Sequence, residues 1–191
     1  MDQETRTPLT RRRVLGGTAA ALAPAIAGCS GGGTDDQPEP TTLAGAGSCD
    51  QCGMVIDRQP GPVGQTYYRD HEPDGHDPPA QFCSTVCTYR YQFAATDRGW
   101  TPQVTYLTDY TSVDYTVRQA GGGRVISAHL DADAFGAAET LRVVAGTDVE
   151  GAMGPALVPF GDDADASSFA AEYGGEVIDA ADISRELVAR G

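Results

Sequence analysis

Four cysteines stand in two close pairs, Cys49-Asp-Gln-Cys52 and Cys83-Ser-Thr-Val-Cys87, with 30 residues between the pairs. Each pair fits on one short turn, and a chain that folds back on itself can aim four sulfurs at one point. Thiolates are soft donors that select Cu(I) and Zn(II) over hard cations. Gly53 permits a tight turn directly after the first pair, and Met54 adds a thioether beside it. Met153 sits in a second glycine-rich turn, Gly-Ala-Met-Gly-Pro. A methionine next to glycine in a loop is an odd packing residue and a candidate Cu(I) ligand. A thiolate contributes charge where a thioether is a weak neutral donor, so Cys52 ranks above Met54. Two structural disulfides, or a redox dithiol, are the competing readings of the same cysteines in an exported chain. His71 and His76 fall in a polar loop, DHEPDGHDPP, and are read as solvated; His129 is read as structural. Asp50 is near the thiols only in sequence, and no Ser-His-Asp spacing or phosphate loop is evident. No catalytic residue is therefore assigned, and the chain is not expected to be an enzyme.

The elements that must position these residues follow from local pattern. Met54–Asp57 and Gly64–Arg69 read as short strands around a Pro-Gly-Pro turn, and Ala80–Cys83 as another. Ser84 is a candidate N-cap for a helix over 85–96, with Val86, Tyr89 and Phe93 on its buried face. Gly99 and Pro102 end it, and Val104–Thr108 is a strand. In the second half, Thr140–Ala145 is a strand, Met153–Phe160 is extended, and Asp162 caps a helix over 163–173 that stops at Gly174-Gly175. Glu176–Asp179 is a strand, and 180–189 a final helix with Ile183, Leu187 and Val188 on its apolar face. The expected fold is α+β, two small strand-strand-helix-strand units packed together. The expected division is a metal-binding unit over 49–101 and a second unit over 102–191.

The N-terminus reads as an address. Arg11, Arg12 and Arg13 precede a short apolar stretch broken by Gly16, Gly17 and Pro24. A twin arginine before a weakly apolar segment fits a Tat export signal. Ile-Ala-Gly-Cys29 resembles a lipobox, which predicts a signal peptide over 1–28 and a lipid on Cys29. Residues 29–48 are nearly devoid of large apolar side chains and are expected to be a disordered tether. The protein is then exported and anchored to the outer face of the membrane.

Composition bounds the rest. The 191 residues carry a net charge of −14, which argues against a nucleic-acid partner. Lysine and asparagine are both absent. An acidic, lysine-free, Ala/Asp/Gly-rich chain fits a protein of salt-loving archaea, where salt screens the self-repulsion.

Cys52-Gly53-Met54, Pro60-Gly61-Pro62 before Gln65, and Phe82-Cys83-Ser84 resemble the first half of the NosL family. Tyr106–Tyr110, Met153-Gly154-Pro155 with Leu157–Phe160, and Phe169–Gly175 resemble its second half. The resemblance covers about 49–183. It implies a membrane-anchored copper chaperone that binds Cu(I) and serves assembly of the copper centres of nitrous oxide reductase. It also implies two small α+β units related to those of an organomercury lyase, and it puts Cys52, Met54 and Met153 at the metal. Cys49, Cys83 and Cys87 go beyond the common Cys-Gly-Met pattern. With Cys52 they look like a TRASH/YHS-type module, which keeps a four-cysteine zinc site open as the alternative. A thiol-dependent organometal-cleaving enzyme is the remaining one.

Overall fold

Eleven short strands and three helices follow one another in the computed structural model, which describes residues 37–190. The expected signal segment 1–28, Cys29 and the start of the tether lie outside the described residues. In chain order the elements are β1 (Gly64–Tyr68), β2 (Ala80–Phe82), α1 (Thr85–Asp97), β3 (Pro102–Thr108), β4 (Val117–Ala120), β5 (Gly123–Ile126), β6 (Phe135–Ala137), β7 (Arg142–Ala145), β8 (Val149–Gly151), β9 (Gly154–Pro155), β10 (Val158–Phe160), α2 (Asp163–Tyr173), β11 (Glu176–Asp179) and α3 (Arg185–Ala189). The fold is α+β, as expected.

Three small sheets carry the strands, in the orders β2-β1-β3-β6, β10-β7-β11 and β4-β5-β8-β9. All pairings are antiparallel except β5 with β8. In the first sheet Gly64 faces Phe82 on β2 and Leu107 on β3. Because β3 pairs with β1, the expected boundary at residue 101 cuts through a sheet. Residues 102–108 belong with the first half of the chain, and β6 closes that sheet from further along still.

Capping decides the helices. The Ser84 hydroxyl accepts the Cys87 N–H and starts α1, and the Asp162 carboxylate accepts from the N–H groups of Ala164 and Asp165 and starts α2. Val86 and Tyr89 are buried from α1, with Phe93 partly so, matching the expected face. The expected final helix is shorter. Ala180–Asp182 is a 3-10 turn, and Ser184 caps a separate α3 by accepting from Leu187 N–H. The expected strand at Met54–Asp57 is a single bridge from Val55 to Ser48 followed by a 3-10 turn over Ile56–Arg58.

The hairpin β4–β5 has no counterpart in the expected pattern. Ala120 faces Gly123 across Gly121-Gly122, whose φ angles are +62° and +99°. Such a two-residue turn with positive φ at both positions matches the twist of the strands it joins.

Residues 37–48, expected to be tether, lie against the domain instead. Leu43 is fully buried, and its N–H donates to the Leu130 carbonyl. The buried Gln65 side chain accepts from Thr41 N–H and donates back to the Thr41 carbonyl. Tyr67 and Tyr106 hydroxyls donate to the carbonyls of Glu39 and Pro38. Composition gave no hint because backbone groups and one leucine make these contacts. Among the described residues no helix is long and apolar enough to cross a membrane.

Candidate metal centre

The two cysteine pairs converge. The sulfurs of Cys49, Cys52, Cys83 and Cys87 all lie within 4.8 Å of one another. Cys52 Sγ is 3.5 Å from Cys83 Sγ, and Cys83 Sγ is 3.8 Å from Cys87 Sγ. These are contacts, not bonds, and all four thiols are free rather than joined in two disulfides. Zn–S bonds of about 2.3 Å would put the sulfurs of a tetrahedral site about 3.8 Å apart. The observed spacing and the all-sulfur donor set therefore fit a soft metal.

Two elements hold the four sulfurs, one pair on each. Cys83 directly follows β2, and Cys87 lies in the first turn of α1 where Ser84 Oγ holds its N–H at 3.0 Å. One helical turn thus brings Cys83 and Cys87 to the same face of the strand–helix junction. The first pair sits on a loop closed by Cys49 N–H donating to the Met54 carbonyl and Gly53 N–H donating to the Cys49 carbonyl. Gly53 has φ of +75°, the left-handed turn that glycine adopts without cost. Asp50 fastens this loop to β2. Its N–H donates to the Gln81 carbonyl at 2.9 Å, and its carboxylate accepts from Gln81 N–H at 2.6 Å.

The histidines depart from the solvated reading. His76 is half-buried, with Nε2 3.0 Å from the other Asp50 oxygen and Nδ1 2.8 Å from the Asp77 carbonyl. His71 is half-buried too, stacked on Trp100 with ring centroids 4.4 Å apart. His129 is structural in contact, with Nε2 3.0 Å from Ser127 Oγ and its ring against the edge of Tyr110. The sequence missed the Asp50–His76 link, since 26 residues separate the partners.

The thiols share their charge unequally. Cys49 is pushed strongly down by hydrogen bonds from the Cys83 and Cys87 thiols, against its burial. Cys83 is pushed up by its hydrogen bonds with Cys49 and Cys87, with burial adding to this. Cys87 is likewise pushed up, chiefly by Cys49. Charge on one sulfur thus opposes charge on its neighbours, and a bound cation would relieve that opposition.

The two methionines belong to the surrounding apolar packing. Met54 and Met153 both pack, partly buried, against the side chains that include Cys49, Cys83 and Cys87. Met153 also touches the neighbouring core of Leu107, Val143 and Leu157, so it bridges the two.

Four converging thiols, three of them buried, on a strand–helix junction and a loop give this α+β domain a group that could hold a metal ion. The family model NosL matches residues 40–188, and the chain belongs to the NosL family. Two solved structures are similar. One is the copper chaperone NosL from Shewanella denitrificans, 23% identical, with a TM-score of 0.54 over 73% of this chain and 90% of that one. The other is apo-NosL from Achromobacter cycloclastes, solved by NMR, 23% identical, with a TM-score of 0.37 over 65% and 87%. No curated protein matches the chain. The first likeness supports the α+β fold.

Proposed function

We propose that this chain is a metallochaperone that holds Cu(I) and passes it on by ligand exchange. The observation that carries the reading is the convergence of four free thiols, one of them exposed, in a chain of the NosL family. The Shewanella protein of that family is described as a copper chaperone. Cys49, Cys52, Cys83 and Cys87 form the ligand pool, and Met54 and Met153 supply thioethers at its edge. The client on this reading is nitrous oxide reductase. Export by the twin-arginine segment and a lipid on Cys29 hold the carrier at the outer membrane face, where an acidic surface favours basic patches on its partners.

A second reading has its own support. Four sulfurs at near-tetrahedral spacing, three of them buried, also suit a structural Zn(II). Anaerobic reconstitution with metal analysis separates the two. A carrier takes up one Cu(I), prefers it to Zn(II) and releases it to a competing chelator while staying folded. A structural site keeps Zn(II) until the domain unfolds. For the anchor, Cys29→Ser is expected to free the protein from membranes at unchanged metal stoichiometry. Retention of the variant on membranes removes the lipid from the reading.

A further inference from the structure

The four sulfurs are not equivalent in how they are held. Cys49, Cys83 and Cys87 are 2%, 0% and 0% exposed, whereas Cys52 is exposed. Cys83 and Cys87 sit at the end of a paired strand and in the capped first turn of a helix. Cys49 precedes Asp50, which is fastened to Gln81 through both its backbone and its carboxylate and to His76 through its second oxygen. Beyond Asp50 the loop turns outward: Gln51, Cys52 and Gly53 are all exposed. Cys52 nonetheless turns its sulfur inward to within 3.5 Å of Cys83 Sγ.

We infer that Cys52 is the exchange ligand of this site, the sulfur through which the metal enters and leaves, while Cys49, Cys83 and Cys87 hold it. The assignment rests on the carrier reading above. An incoming thiol from a partner reaches the metal only from the side of the exposed loop. Its sulfur forms a bond to Cu(I) as the bond from Cys52 breaks. The proton of the incoming thiol passes to the released Cys52 sulfur directly or through solvent, and copper stays Cu(I). The three anchored sulfurs keep the metal during that step because the fold, rather than the metal, positions them.

The test uses the full chain loaded anaerobically with Cu(I), with dithiothreitol as acceptor and limiting iodoacetamide as a probe of detached thiol. For the unaltered chain, transfer is expected to rise in proportion to dithiothreitol, and peptide mapping to find Cys52 carboxamidomethylated before the other three, with the metal retained. Cys52→Ser is expected to speed transfer and to lower Cu(I) affinity about tenfold less than Cys87→Ser does, because the other three sulfurs stay anchored by the fold. Alkylation of a buried cysteine as fast as Cys52, or a larger affinity loss for Cys52→Ser than for Cys87→Ser, overturns the assignment. A chain that takes up no Cu(I) overturns the carrier reading and this role with it, and metal stoichiometry alone identifies that case. The alkylation order of the unaltered chain carries the test should Cys87→Ser fail to fold.

Discussion

Two parts of the interior are built on different chemistry. Around α2 and β10 the core is made of rings: Phe160 and Phe169 lie 5.2 Å apart, Phe169 and Tyr173 4.7 Å, and Tyr110 and Tyr115 pack edge-on. The one polar atom Tyr110 brings inside is satisfied, its hydroxyl donating to the Ser127 carbonyl. Around β2 and α1 the core is made partly of sulfur, with Cys49, Cys83 and Cys87 among Ile56, Val63 and Phe82. Ring pairs attract one another wherever they meet. A set of thiols gains its strongest partner only from a cation. The first region can therefore supply stability unconditionally, and the second can be spent on binding.

That contrast breaks most visibly at the ring core. Phe169→Ala should cost about 3–5 kcal/mol of folding stability and leave metal stoichiometry unchanged in whatever fraction remains folded. Denaturant unfolding with parallel metal analysis checks it. If instead metal loading falls with folding held constant, the two regions are coupled more tightly than their separate packing suggests.

Next in size is the double variant Cys83→Ser/Cys87→Ser. It should remain folded and unfold cooperatively, at a cost of about 1–3 kcal/mol for hydroxyls buried without full partners, while its Cu(I) affinity drops. Circular dichroism melting with and without Cu(I) reads both. An unfolded variant would make the sulfur region a structural staple and favour zinc.

A smaller effect is expected at the junction that aims two of the sulfurs. Ser84→Ala removes the acceptor for Cys87 N–H and should cost about 1 kcal/mol, with Ser84→Asp restoring most of it. Equal melting temperatures for all three chains would show that packing alone holds the first turn of α1.

The smallest is the pH response of the Asp50–His76 link. Burial works against the charged ring, but the hydrogen bonds to Asp50 and to the Asp77 carbonyl outweigh it and raise the His76 pKa above its ordinary value of 6.5. A raised pKa makes the link stabilising below the unfolded value and lets that contribution fade as pH climbs through the folded one. At such a partly exposed pair the effect is about 0.2–1 kcal/mol. Stability measured between pH 5 and 8 should show it in the parent chain and lose it in His76→Gln.

Much of the site is legible in the sequence because its determinants are local. Ser84 before an amphipathic run, Asp162 before another, and the two cysteine spacings each signal within a few residues. The Gly121-Gly122-Gly123 run also carries a hairpin signal, but a faint one, because its flanks, Val117–Ala120 and Gly123–Ile126, alternate weakly. What stays illegible is long-range. The pairing of β3 with β1 moves a domain boundary, and Asp50 meets His76 across a loop. The methionines are legible as oddities of position, yet both pack, partly buried, against apolar clusters as ordinary methionines would, Met153 against two of them.

The strap over residues 37–48 sets where the chain must begin if it is to fold. Cutting at residue 49, just where the cysteine pattern starts, would empty the seat of Leu43 and strand both hydrogen-bonding ends of the Gln65 amide in the interior at once. Cutting at residue 37 would leave those contacts whole. The smallest portable form of the cysteine site therefore includes a dozen residues that carry no thiol of their own.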